Sequence, residues 1–147
     1  MNEFLICVLD RGDVLMCSPR SVDGYSHIIK ESTILLGCIH DQKTQFLLNT
    51  SPPNLSGHVT NVNIQNNFLP NVPDGTYSLL LATNEVIYNI EHDHTVTLSR
   101  TYKAIGYKQD TITGALFATH RLDMSGEDRI KIALEAASIY EYEIVRL

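Results

Sequence analysis

Residues 104–147 read AIGYKQDTITGALFATHRLDMSGEDRIKIALEAASIYEYEIVRL. Two short helical patterns stand back to back here, between segments of strand character. Asp110 is a good N-cap residue for a helix through Ile112, Ala115, Leu116 and Thr119, which share one face. Asp123-Met124 interrupts that pattern. Ser125, with Asp128 three residues on, resembles a capping box in which Asp replaces the usual Glu or Gln. The helix that follows places Ile130, Ala133, Leu134 and Ala137 on one stripe, the spacing of a buried amphipathic face. From Ile139 to Leu147 the pattern turns to strand, with Tyr140, Tyr142 and Ile144 alternating against Glu141 and Glu143.

Working outward, the strands dominate. Phe4–Leu9 and Val14–Cys17 are apolar runs separated by Asp10-Arg11-Gly12-Asp13, where Gly12 supplies the positive φ of a tight hairpin. Ser18–Gly24 is polar and irregular. Ser26–Lys30 and Ser32–Ile39 read as two further strands, the second apolar on both faces and so covered on each side. Gly37 inside it allows a close approach by a backbone or ligand. Thr76–Ala82, Glu85–Ile90 and Thr95–Ser99 form a second strand block, with Asn84 and Glu91–His94 at the turns. Lys103–Ile105 then leads into Gly106. Residues 41–74 are proline-broken and rich in asparagine, with a short helix over Gln42–Leu48 and an edge strand over Thr60–Ile64 as the readable pieces. This stretch is expected to be a partly ordered surface excursion and a contact region. Strand blocks flanking a helical hairpin imply an α+β fold, antiparallel sheet covered by helices, in a single domain of residues 1–147.

Charge narrows the partners. The chain has 147 residues, a formal net charge of −6 and only 11 Lys plus Arg, with no basic cluster, which argues against nucleic acid. No apolar run approaches the length needed to span a bilayer. The start, Met1-Asn2-Glu3-Phe4, lacks the basic opening of a signal peptide. Cys7, Cys17 and Cys38 are an odd number inside apolar runs, as buried reduced thiols would be, and a cytoplasmic location is expected. The Asn49-Thr50-Ser51 and Asn54-Leu55-Ser56 glycosylation patterns then carry no meaning. Arg11-Gly12-Asp13 spells an adhesion motif, which the hairpin turn explains sufficiently.

The order of these segments resembles the N-terminal-nucleophile hydrolase fold, in particular proteasome β subunits and the bacterial proteasome-like peptidase HslV. The opening hairpin, Phe4–Leu9 and Val14–Met16 around the Gly12 turn, is similar to the family's first two strands. Ile34-Leu35-Leu36-Gly37 looks like its strand ending at a small-residue segment. Leu79–Ala82 followed by Val86–Ile90 is similar to its central strands. Ala104-Ile105-Gly106, the helix through Gly114-Ala115-Leu116, then Leu122–Ser125 and Ile130–Ala137 resemble its C-terminal helix pair. The likeness implies a reduced αββα sandwich and covers nearly the whole chain except residues 41–74, where the family has a helix pair that helps to build its rings. Self-association or a protein partner is the implied mode of action, in a chain whose size and abbreviated middle suit a phage or bacterial origin.

The family's reaction, as the resemblance implies it, uses an N-terminal Thr, Ser or Cys as nucleophile, with its own α-amine as base. Aligned on Gly12, that position falls at Glu3, and the orienting aspartate falls at Pro19. The tuning lysine falls around Gly24–Ser26, with Lys30 nearby but out of register, and the active-site backing reads Gly106-Tyr107-Lys108, without its serine. No catalytic, cofactor-binding or metal-ligating residue is therefore assigned, and a non-catalytic structural or regulatory protein is expected. The alternative is an active peptidase or amidohydrolase with a non-family nucleophile, Cys7 or Cys38. Cleavage before Cys7 would leave only three residues ahead of the turn region, short of the roughly five a strand needs. Thr50 and Ser51 precede no apolar strand. His92 and His94, with Glu91 and Asp93, give too few ligands for a metal, and no metal or cofactor is expected. Cys38, His40 and Asp41 sit together at a strand end, but neighbours on a strand face opposite ways. His27, His58 and His120 are scattered.

Overall fold

The computed structural model describes residues 3–20, 26–30, 33–40, 77–91 and 95–147. In chain order these form β1 (Phe4–Asp10), β2 (Asp13–Pro19), β3 (Ser26–Lys30), β4 (Leu35–His40), β5 (Tyr77–Ala82), β6 (Ile87–Glu91), β7 (Val96–Ser99), β8 (Tyr102–Gly106), α1 (Gln109–Thr119), α2 (Gly126–Ala136) and β9 (Tyr142–Arg146). Two antiparallel sheets result, a four-stranded one in the order β8-β1-β2-β9 and a five-stranded one in the order β3-β4-β5-β6-β7. The α+β expectation holds: α1 and α2 cover the first sheet, and the second sheet packs on its other face.

The layering follows from the two-residue alternation of β1 and β2. Phe4, Ile6 and Val8, with Leu15 and Cys17, face Ile112, Leu116, Ile130, Ala133, Leu134 and Ala137 of the helices. Leu5, Cys7, Val14 and Met16 face Leu35, Leu80, Ala82 and Ile87 of the second sheet. The hairpin is thus apolar on both faces because it is the central layer. A third cluster, including Leu36, Cys38, Leu79, Leu81 and Ile90, occupies the far face of the second sheet. The expectation that the β4 strand is covered on both faces is met, since Leu35 and Leu36 belong to different clusters and both are buried. Gly37 serves sheet-on-sheet packing: a Cβ there would lie 2.6 Å from Met16 Sδ and 3.1 Å from both Leu5 methyls.

The opening hairpin turns on Arg11 and Gly12, with φ of 52° and 89°, and Asp10 pairs with Asp13. Two positive φ values in a two-residue loop match the right-handed strand twist. The charged ends of Arg11-Gly12-Asp13 are engaged within the chain, Arg11 with Asp123 at 2.8 Å and Asp13 with Arg146 at 3.1 Å.

Four sequence expectations are corrected. The cap of α1 is Lys108 in the left-handed region, with no side-chain cap bond, and Asp110 lies inside the first turn. Tyr102–Gly106 is a full strand, paired with β1, rather than a lead-in. The last strand begins at Tyr142, and Tyr140 is 75% exposed ahead of it. The β4 strand starts at Leu35, after Thr33 and Ile34. The Ser125 cap stands as expected, its hydroxyl accepting the Asp128 N–H at 3.1 Å. The readings placed on residues 41–74, including Asp41, Thr50, Ser51 and His58, and on His92–His94 lie outside the described residues.

Candidate functional site

Glu3 precedes β1, and its carbonyl accepts the Tyr107 N–H at 2.7 Å, which extends the β1–β8 ladder by one residue. Gly106 makes that approach feasible. Its φ is +92°, and a Cβ there would sit 2.4 Å from Glu3 O and 3.0 Å from Phe4 Cα. The Gly106 N–H donates to Gln109 Oε1 at 3.2 Å, which ties the end of β8 to the first turn of α1. Lys108 then takes φ 53°, and its Nζ donates to the Ala137 carbonyl at 3.0 Å. That contact joins the start of α1 to the end of α2, where a cation complements the exposed carbonyls.

The end of α2 closes with a left-handed Ser138 at φ 57°. Ser138 N–H donates to Glu135 O at 3.0 Å and Ile139 N–H to Leu134 O at 2.9 Å. This is the Schellman pattern, with serine where glycine is usual, and Ile139 packs back on the helix core. The turn fixes where the following residues go and explains why the last strand starts late.

Around this end of the first sheet lies a cleft of about 400 Å³, lined by Phe4, Pro19, Arg20, Tyr107 and Ser138–Glu141. Of the positions weighed in the sequence, Pro19 and Tyr107 line this cleft, and Glu3 is tied to it through its carbonyl bond to the Tyr107 N–H. Lys30 is not among them. It is exposed at the far end of β3, opposite Leu35, whereas Ile39, opposite Ser26, is the residue that approaches Gly106. Four residues of strand separate the two ends, roughly 13 Å.

Sequence reading missed Arg20, Ser138, Tyr140 and Glu141 as cleft residues. Only loop position links them, and no spacing rule brings β2's end to the α2–β9 turn. Their chemistry is a hydroxyl, a phenol, a carboxylate and a guanidinium.

The cysteines are elsewhere. Cys7 lies between the sheets, Cys17 under the helices and Cys38 on the far face of the second sheet, all at 0% exposure and all free. Burial pushes each thiol well above its ordinary pKa, with Glu143 adding to the effect at Cys17. A thiolate is the reactive form, and burial withholds it. Removing the residues before Cys7 would also strip Phe4, Leu5 and Ile6, each paired to β8 and buried. Glu91 accepts a hydrogen bond from Ser78 at 2.8 Å. Among the described residues no group of three His, Cys, Asp or Glu side chains could hold a metal ion, and no helix is long and apolar enough to cross a membrane.

No protein-family model matches this chain, and no curated protein matches it in sequence. Solved structures do match. Eukaryotic HslV from Trypanosoma brucei superposes with a TM-score of 0.75 at 13% identity, over 98% of this chain and 98% of that one. Thiobacillus denitrificans BPH in complex with epoxomicin gives a TM-score of 0.72 at 14% identity, over 98% of this chain and 97% of that one. BPH described without epoxomicin gives 0.69 at the same identity. At such identities the likeness is one of fold, and with the two sheets and C-terminal helix pair it fixes the architecture: the chain has the HslV-like N-terminal-nucleophile-hydrolase fold.

Proposed function

We propose that this chain is a catalytically silent, single-domain protein of HslV-like fold, working through protein–protein contacts as a structural or regulatory subunit, with self-association among those contacts. The observation that carries the reading is the Glu3–Tyr107 junction. Where the fold's chemistry needs a small hydroxyl or thiol on an amine-bearing residue, this chain has a carboxylate residue whose carbonyl is held by Tyr107 N–H at 2.7 Å. Pro19 and Tyr107 at the same cleft supply neither an orienting acid nor a serine. The three buried thiols speak against Cys7 or Cys38 as a substitute nucleophile. Unpaired cysteines in the core also suit a reducing, cytoplasmic setting.

The test is intact mass spectrometry before and after incubation with epoxomicin and with a thiol-reactive hydrolase probe. Unchanged mass in both is expected, with the chain still containing Phe4, Leu5 and Ile6. A covalent adduct on the native protein, or loss of the residues ahead of Cys7, would overturn the reading. Light scattering on the same sample reports the assembly, and a species larger than one chain is expected.

A further inference from the structure

We propose that the outward face of α1 is a two-fold contact with a second copy of this chain, in which Phe117 of each copy fills a notch at Gly114 of the other. The inference rests on the protein-contact reading and deepens it by naming the surface through which the chain self-associates. Gly114 is the first observation. Among the described glycines, Gly12 and Gly106 have positive φ, and a Cβ at Gly37, Gly106 or Gly126 would meet a neighbour within 3 Å. Gly114 has neither reason. It lies inside α1, and a Cβ there would meet nothing within 4 Å. Glycine is a poor helix former, and the chain's own packing makes no use of the bare backbone at this place. A partner that approaches closely would use it, since the distance between packed helices is set by the side chains at the contact.

The residues around the notch form a stripe that complements itself. Ile112, Leu116 and Thr119 turn to the core. Asp110, Gly114 and Phe117, spaced i, i+4 and i+7, therefore run along the opposite side, with Arg121 one turn on, just past the helix end. Phe117 is 70% exposed, and Leu122 and Ile132 of the same helical layer are exposed as well. Lys108 bonds to Ala137 and Arg129 to Leu116, an antiparallel register that sets Ile132 level with Thr113, beside Gly114, and gives the notch an apolar flank. Two copies of α1 laid antiparallel about an axis between Ala115 and Leu116 place Phe117 opposite Gly114 and Asp110 opposite Arg121, each pair occurring twice. One axis serves both pairings because they share a midpoint. Asp110 and Arg121 are exposed and carry no ion pair among the described residues, so each is available to the other copy. A parallel arrangement would set Phe117 on Phe117 and like charges together. Opposite charges and a knob facing a notch thus select a second copy, antiparallel, as the occupant. A contact built on one helix pair is smaller than a standard interface, so the dimer is a weak one.

Sedimentation velocity on the full chain over roughly 1–100 μM is the test, and a reversible dimer with a Kd of about 10 μM is expected. Gly114→Leu fills the notch at a place where the single chain has open space. It should abolish the dimer while leaving the urea midpoint no lower. Phe117→Asp should abolish it too. Asp110→Arg alone turns both ion pairs into like-charge pairs and should weaken association about tenfold. Adding Arg121→Asp to it should restore the original affinity, a rescue that a merely structural effect of either change would not produce. This charge reversal keeps the test in force if Gly114→Leu fails to fold. Association unchanged by Gly114→Leu and Phe117→Asp would overturn the α1 surface and leave self-association standing. A monomer at every concentration would overturn both. A hydrolase adduct in the earlier experiment would defeat the silent reading and leave the dimer in place, which keeps the failures apart.

Discussion

At the end of the helical hairpin where α1 gives way to α2, several backbone groups of both helix ends are answered by side chains. Asp10 accepts the Gly126 N–H at 2.8 Å and Ser125 accepts the Asp128 N–H at 3.1 Å, which meets two of the donors a helix start leaves bare. Arg129, 5% exposed, donates to Leu116 O at 2.9 Å and to Thr119 Oγ1 at 3.3 Å, with its guanidinium 5.6 Å from the Tyr102 ring centroid. A cation from α2 thus closes the carbonyl end of α1, which has no basic residue of its own in its last turn. At the opposite end, Gly106, Lys108 and Ser138 all carry positive φ, and the cleft opens between them. One end is closed by satisfied polar contacts; the other is held open by backbone conformations that two of its three residues dislike. Left-handed backbone in non-glycine residues persists where the surroundings enforce it, and here it borders the cleft.

The sharpest way to break the open end is Gly106→Ala. The added Cβ meets a backbone oxygen at 2.4 Å and an alanine at φ +92° is strained, so neither partner can give way cheaply. A loss of about 4 kcal/mol is expected from strain and overpacking together, read as a fall in the urea midpoint. A loss under about 1 kcal/mol would mean that the Glu3–Tyr107 junction is not the fixed point described here. At the closed end, Arg129→Met keeps the apolar stem and removes the donors to Leu116 and Thr119. Burial lowers the Arg129 pKa, opposed by Tyr102 and Asp10, and the charge is retained for its hydrogen bonds. About 2–3 kcal/mol should be lost, since buried acceptors are left without a charged donor. If Arg129→Met proved neutral, the contrast between the two ends would rest on backbone strain alone.

The sequence made the closed end readable and left the open end obscure, for physical reasons. Ile130, Ala133, Leu134 and the Ser125 cap are local signals with a helical period, and all four behave as their spacing implies. The hairpin at Gly12 is equally local. Asp110 misled because the start of α1 is set by the β8 end: Gln109 bonds back to Gly106, and Lys108 is fixed by its reach to Ala137, 29 residues away. The β8 strand was missed because its pairing with β1 is remote and its Tyr102-Lys103 opening lacks an apolar alternation. The cleft draws on β1, the end of β2, the start of α1 and the α2–β9 turn, so no spacing in the chain announces it.

A third measurement asks whether the openness of the cleft reaches the core beneath it. All three thiols are buried and their pKa values are raised by desolvation from an ordinary 9.0. The protein therefore keeps its thiol protons at a pH where the unfolded chain has lost them, and stability falls as pH rises above about 9, by ~1.4 kcal/mol per pH unit for each thiol. Below that pH both states are protonated and the contribution is constant. Cys7→Ala should reduce the slope by one thiol's share, and native protein at pH 8 should resist a thiol-labelling reagent that modifies all three once urea is added. Fast native labelling of Cys7 alone would show that the cleft end breathes into the inter-sheet layer.

The smallest expected effect bears most directly on the contrast between the ends. Ser138 holds φ 57° at the turn after α2, where its N–H and that of Ile139 close the helix on Glu135 and Leu134. Ser138→Gly keeps both hydrogen bonds and relieves the left-handed strain, worth about 1–2 kcal/mol, against a glycine entropy cost of about 0.5–1 kcal/mol. A net gain of about 0.5–1 kcal/mol should follow, because the Schellman closure prefers glycine at this place. Asp128→Ala is the matched change near the closed end: its backbone N–H still reaches Ser125, and no comparable gain is available there because α2's start carries no strained φ. Stabilisation at Ser138 with none at Asp128 would locate the chain's unrelieved strain at the cleft. Equal responses would mean that the left-handed serine is an ordinary helix ending, and the cleft would lose its claim to be the place where this fold departs from its most stable form.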